Sequence, residues 1–550
     1  MIASLNQHLK FDIKGHLSTH SSCVSHCTTF SLSDPKCETF RSKCDHEHAS
    51  GCEECEIVDK TLCEVAREFD ECTIKECIPK DTMEEIDFEI NQSKLNILSW
   101  KAHCVRTVHQ DQAKKNVLED LQPNQALVVM DWAMKFLPIK HRESQSDFFG
   151  KKGISWHLSS VITRAAYPAI DQENHLAVNT FVHILQLGNQ GWFSVAHIIT
   201  DLLNQMPSFA PNVSEIILKS DNAGCYHCSS LVSYLQHLNQ LSRIKILEYN
   251  FSEPQSGKDI CDAKTAHCKM HILRFSGEGH DVLTPDDMVI ALNSNGGVKG
   301  VVTSVVSIDQ SQEMRMKTKI PNISLMNNIS FHPDGVTFRK AYGIGRGYFL
   351  PSSHFKDNEQ ILGFEVHTQF HRTDSYIPGS VKHEQDKTEA DEEINKEEEI
   401  DGTKSGLFAC PEQGCMKVYR KQCLLECHIC VGNHLYCNTE NTLDKVKHLW
   451  AEKCIAVEKN FKVLVKGTLG VAENIPEGWA LKTAKAQKRF SAKVKEFLYS
   501  MYLDFERTGR RPNFDKISAN LKYLRNDNGL KHFNREEWLS SSQIKSLLIL

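Results

Sequence analysis

Apolar residues run in short blocks through the middle of the chain, and several blocks end on an acid. Residues 126–130 (Ala-Leu-Val-Val-Met) deliver Asp131, residues 215–220 deliver Asp221, and residues 244–249 form a third block. The first is a run of five apolar residues, and the other two set β-branched and large apolar residues within six positions; segments this short predict buried strands rather than helices. Alternation at 153–163 (Ile154, Trp156, Leu158, Val161) and at 174–187 (Leu176, Val178, Phe181, Ile184) predicts two more. Helical spacing marks residues 192–206, 231–241 and 262–275, and a further helix and strand over 284–306 close the region. The order β-β-β-α-β-α-β-α predicts an α/β core over residues 122–310, a mixed five-stranded sheet with helices on both faces.

The flanks read differently. Residues 1–60 are polar and rich in Cys and His, and 61–121 carry helical spacing. Residues 311–380 form a β-rich extension. Its Gly-rich run, Tyr342 to Gly347, lacks both the Lys-Ser/Thr ending and the dinucleotide spacing of a phosphate loop, so it predicts turns. Residues 381–405 are acidic and aperiodic, as a disordered linker would be. A small Cys/His unit occupies 406–436, and 437–550 is a helical tail in which Phe490, Val494, Phe497, Leu498 and Met501 recur at helical spacing.

Charge changes this picture once it is divided. The 550 residues carry a net charge of -6. Residues 41–90 hold 16 acids and 6 bases, and 381–402 hold 10 acids and 3 bases. The tail, 481–550, holds 15 bases and 7 acids, so its net +8 suits a polyanion that the whole-chain value hides. No apolar run of bilayer length exists, and residues 1–8 lack the basic start and apolar block of a secretion signal. No membrane partner is expected, and an intracellular location is.

The 21 cysteines then favour metal ligation or reduced thiols over disulfides. Ten lie between Cys23 and Cys104 and five between Cys410 and Cys430, as separate zinc modules would place them. The clearest is Cys410-x4-Cys415-x12-His428-x5-His434, with Tyr419 and Leu425 at the two core positions of a C2H2 finger. Lys421, Leu424 and Cys427 fall where such a finger presents side chains to bases. Leu and Cys cannot discriminate base edges, so this finger is expected to touch backbone or protein, or simply to fold. In the leader, Cys44, Cys52 and Cys55, with His48 or His46 as the fourth ligand, predict a second Zn2+ site. Cys23, Cys27 and Cys37 could make a further leader site but are the less favoured set. Cys225, His227 and Cys228, with His267, Cys268 and His271, read as core or near-site residues.

The order of elements, with Asp131 leaving the first strand, Asp221 the fourth and Asp262 opening the last helix, resembles the ribonuclease-H-like catalytic core shared by DDE/DDD transposases and retroviral integrases. The run Ser220-Asp221-Asn222-Ala223-Gly224-Cys225-Tyr226-His227 and the later Gly257-Lys258 with Asp262 resemble transposon-derived proteins that pair such a core with a C2H2 finger. The resemblance implies an acidic triad, Asp131, Asp221 and Asp262, that binds Mg2+ or Mn2+ and cleaves or transfers phosphodiester strands. It also implies DNA as partner and a nuclear location. Lys258 would hold the scissile phosphate. Asp259 stands where a glycine is usual and is a rival third ligand. The alternative is a domesticated, catalytically inactive zinc-finger scaffold.

Overall fold

The structure is a computed structural model that describes residues 12–48, 80–165, 176–254, 259–314, 316–355, 361–371, 408–412, 417–419, 422–431, 475–483, 490–508, 513–526 and 531–548. Isolated positions at 9, 52–67, 375–376 and 415 are also described. The long helix α1 (Lys80–Glu119) leads into β1 (Gln125–Trp132), the centre of the sheet. β2 (Trp156–Arg164) pairs antiparallel with β1, and β3 (Leu176–Leu187) pairs antiparallel with β2. After helix α2 (Trp192–Phe209), β4 (Glu215–Ser220) joins the other side of β1 in parallel. After α3 (Ser229–Leu241), β5 (Lys245–Phe251) joins β4, also in parallel. A parallel neighbour needs a crossover, and the two helices supply it.

The expected five strands are present but the sheet does not stop there. Helices α4 (Ile260–Gly277) and α5 (Pro285–Asn293) lead to β6 (Val301–Ile308), which adds parallel to β3. Beyond β5, three strands, β7 (Asn328–His332), β8 (Gly335–Arg339) and β9 (Tyr348–Pro351), meander antiparallel. β10 (Phe364–Val366) closes the far edge against β6. The sheet is therefore ten-stranded, in the order β10-β6-β3-β2-β1-β4-β5-β7-β8-β9, which corrects the five-stranded expectation. The physical reason is edge pairing. β3 and β5 would otherwise present rows of unpaired N–H and C=O groups, and the extension covers both.

Alternation along the strands sorts their side chains into two cores. Ala126, Val128 and Met130 face α2 and α3, with Ile216, Leu218, Phe181 and Phe193. Leu127 and Val129 face α4 and α5, with Trp156, Leu158, Ile217, Ile260 and Ile272. The C-terminal end of α1 joins this second face through Val117 and Leu118.

The leader packs on the Gly-rich turn. Gly345 has φ +72°, and a Cβ there would lie 2.6 Å from the Thr39 carbonyl oxygen. Its N–H donates to Ser42 Oγ at 2.8 Å. Further along the chain, β11 (Phe408–Ala409) and β12 (Val418–Tyr419) form a hairpin followed by helix α6 (Gln422–Val431). Residues 483–550 form a unit of their own, in which α7 (Ala492–Thr508), α8 (Phe514–Tyr523) and α9 (Ser541–Leu548) enclose Val494, Leu498, Ile517, Leu521, Phe533 and Ile544. No described helix is long and apolar enough to cross a membrane. The acidic linker at 381–405 lies outside the described residues, as does the start of the tail at 437–474.

Candidate metal centres

Asp131 is the seventh residue of β1, and Asp221 directly follows β4. The parallel register pairs Gln125 with Glu215 and Val129 with Lys219. That pairing stops two residues before each acid, so Asp131 and Asp221 leave the same end of neighbouring parallel strands. Parity puts both on one face. Val129 and Ile217 belong to the core under α4, and Asp131 and Asp221 lie an even number of residues beyond them. Asp262 lies in the first turn of α4, on that same face.

Their electrostatics show that the three acids share a neighbourhood. Burial, then the charges of Asp262 and Asp221, push the Asp131 carboxyl up to about 7. Partial desolvation also raises Asp221, against the Ala223 N–H that donates to its Oδ1 at 3.0 Å. Asp221 and Asp262 are exposed, so the cluster opens to solvent on one side. An all-oxygen donor set of this kind suits Mg2+ or Mn2+. The three acids are not among the described groups whose ligand atoms all lie within 4.8 Å of one another. Two cations bridged by one central carboxylate would not require that closeness.

Asp259 has a different occupation. It is buried and accepts from Lys114 Nζ at 2.7 Å and Lys219 Nζ at 3.0 Å. It also caps α4, in a reciprocal box with Asp262, whose Oδ2 accepts from the Asp259 N–H at 3.2 Å. Burial alone would raise its carboxyl, but the two lysines hold it well below the usual range. Its charge is neutralised by protein, whereas Asp262 is exposed. Lys258 lies outside the described residues.

Three Cys/His groups can each hold a metal ion. In the leader, the candidate ligands Cys44, His48, Cys52 and Cys55 are divided between two groups. Cys52 and Cys55 join His16 and His26, while Cys44 and His48 join Cys27 and His46. The spacings suit a tetrahedral ion. Cys27 Sγ and Cys44 Sγ are 3.7 Å apart, and two sulfurs each about 2.3 Å from a zinc would be about 3.8 Å apart. His26 Nε2 lies 3.0 Å from Cys55 Sγ, and Cys52 Sγ lies 3.4 Å from His16 Nδ1. His48 Nε2 is buried with no hydrogen-bond partner among the described residues. Burial and the neighbouring Cys27 push the Cys44 thiol up to about 12, so only a bound cation would make it a thiolate at neutral pH. His16 and His26 were invisible to spacing, because they lie far upstream and bear no motif of their own, and Cys27 was grouped with Cys23 and Cys37 rather than with Cys44.

The third group is Cys410, Cys415 and His428, with His428 Nε2 at 3.1 Å from Cys410 Sγ and 3.5 Å from Cys415 Sγ. His434 lies outside the described residues. The unit also has the small core expected of it, with Leu425 and Ile429 buried and Tyr419 packed beside them.

Several of the other Cys and His side chains marked in the sequence are used in packing. His227 Nε2 donates to the Met326 carbonyl at 2.8 Å and its ring stacks on Phe251. Cys268 is fully buried, and His271 Nε2 donates to the Ser294 carbonyl at 3.0 Å. Behind Asp131, the buried atoms His157 Nε2, Tyr226 Oη and Trp132 Nε1 lack a hydrogen-bond partner among the described residues. No sequence pattern marked them.

Residues 110–332 match a family model described as a domain of unknown function (DUF8701). The matched stretch begins near the end of α1, runs to the end of β7 and contains Asp131, Asp221, Asp259 and Asp262. No curated protein matches the chain. The chain is therefore similar to a domain of unknown function over the segment of its sheet that carries these acids.

Proposed function

We propose that this chain is a transposase-derived zinc protein whose central strands, β3-β2-β1-β4-β5, form a ribonuclease-H-like core acting on DNA in the nucleus. One observation carries the reading. Asp131 and Asp221 leave the same end of neighbouring parallel strands, and burial with the charges of Asp262 and Asp221 raises the Asp131 carboxyl to about 7. Three carboxylates crowded in this way at an open sheet edge are costly without a cation to bind them.

Asp131, Asp221 and Asp262 would hold Mg2+ or Mn2+, which supplies Lewis-acid activation of a water or 3′-hydroxyl and of the leaving oxygen. The chain's own residues do the rest. Asp131, whose carboxyl is raised by both of the other acids, would be the ligand common to the site. Asp259 and its two lysines fix the start of α4 and thereby the direction of Asp262. Zinc in the Cys/His groups is structural, since sulfur and imidazole donors in closed sets of four leave no open position. The basic tail supplies phosphate contacts that carry affinity without sequence information.

The test is nicking of supercoiled plasmid by the full chain with Mn2+, and by Asp131→Asn alongside. Nicking that needs Mn2+ and is lost in the variant supports the enzyme. Absence of nicking together with absence of Mn2+ binding leaves the inactive zinc-finger scaffold as the reading.

A further inference from the structure

The Cys/His unit near the C-terminus does not stand apart from the sheet. Glu426, on α6, is buried, and its Oε1 lies 2.8 Å from His267 Nε2. Its Oε2 lies 3.8 Å from Lys264 Nζ. Both partners belong to α4, on the turns that follow Asp262. Ala263, the residue after Asp262, packs against Leu425 and Ile429 of the unit. Lys114 of α1 ties the arrangement together. Its Nζ donates to the Ile429 carbonyl at 3.2 Å and to Asp259, the cap of α4, at 2.7 Å. On the other side, Glu412, between Cys410 and Cys415, accepts from Lys14 Nζ at 2.7 Å with both side chains buried. Buried carboxylates persist only where their partners are held in place. A unit this small holds its helix only when its ligands are closed by a metal.

We propose that the C-terminal Cys/His unit is a metal-dependent brace for the acid cluster, in which Glu426 grips α4 through His267 and Lys264 and so positions Asp262. The unit's helix is anchored by the same few residues that orient the third acid. Loss of its metal would free Glu426, loosen the first turns of α4 and move Asp262 away from Asp131. Glu426, His267 and Lys264 are positioning residues; none is proposed to touch a substrate. The proposal rests on the reading above only for what Asp262 does. The bracing itself is independent of it.

The test is amide hydrogen exchange of the full zinc-loaded chain, read over residues 259–268, with Mn2+ affinity measured alongside. His267→Ala alters the core side of the contact and leaves the unit's own ligands intact. Cys410→Ser removes a ligand. Both are expected to speed exchange in the first turns of α4 at least tenfold while peptides from α2 stay unchanged. Both are also expected to weaken Mn2+ binding about tenfold. His267→Gln, which keeps a donor toward Glu426, is expected to restore most of the protection. Unchanged α4 exchange in both His267→Ala and Cys410→Ser would overturn the brace. A wild-type chain that binds no Mn2+ would instead remove the acid-cluster reading, and exchange alone would then decide the brace.

Discussion

Asp131 and Asp221 are 90 residues apart in the chain, yet each lies two residues past Val129–Lys219, the last register pair of two adjacent parallel strands. Repulsion within this cluster has a definite pH dependence. An unfolded aspartate releases its proton near 4, whereas burial and its acidic neighbours let Asp131 keep its proton up to about 7. Between those values the unfolded chain has lost a proton that the folded chain retains. Stability therefore falls as pH rises from about 4 to 7 and stays lower above it. Asp131→Asn is expected to be more stable than the wild type at pH 8 by on the order of 1–2 kcal/mol, with the gain shrinking to nothing at pH 4. Added Mn2+ is expected to stabilise the wild type at pH 8 and not the variant. Urea denaturation at the two pH values checks both. A variant no more stable than the wild type at pH 8 would contradict the crowding.

Asp259 and Asp262 sit three residues apart and are expected to respond in opposite ways. Asp259→Ala leaves Lys114 and Lys219 buried without their shared carboxylate, at a cost of about 3–5 kcal/mol. Asp262→Asn loses only part of an exposed capping box, about 1 kcal/mol or less. Denaturation midpoints measure the first effect, and Mn2+ affinity measures the loss of a ligand that Asp262→Asn brings without a large loss of stability. Equal destabilisation by the two would refute the division of roles.

Metal content distinguishes one leader site from two. The described Cys/His groups call for about three zinc ions per chain, two of them in the leader. Cys44→Ser and Cys52→Ser should each lose one equivalent by elemental analysis, and the double variant two. If all four of Cys44, His48, Cys52 and Cys55 served one ion, the double variant would lose only one.

Glu253 is expected to govern part of the acid sensitivity. Burial would raise its carboxyl, but His103, Arg106 and Lys482 outweigh burial and hold it down to about 2. Its contribution is fully present above about 4.5 and is lost as pH falls toward 2. Glu253→Gln should cost about 3 kcal/mol at pH 7 and almost nothing at pH 2. A variant whose loss is the same at both pH values would show that the carboxylate's charge is not what matters.

Much of the sheet was legible before any coordinates. The blocks at 126–130 and 215–220 became β1 and β4, and the alternating stretches became β2 and β3, with ends shifted by a few residues. Periodicity reports which face of a segment is apolar, and burial obeys it. The leader was less legible. Cys44 and Cys52 looked like co-ligands because they are close in sequence, yet the fold gives each to a different group. Short spacing favours a shared ion but does not compel it when His16, His26 and Cys27 can be brought in from upstream.

By itself, the sequence determined the kind of each core element, the acids at strand ends, and the four-ligand spacing of the C-terminal unit. These depend on contacts within a turn or a strand. Only the tertiary structure decided that the sheet has ten strands, that Asp259 is tied to Lys114 and Lys219, and that Glu426 docks on α4. Each of these joins residues tens to hundreds of positions apart. Such pairings are chosen by which open edge or buried charge still lacks a partner once the local elements exist, and no local pattern records that choice.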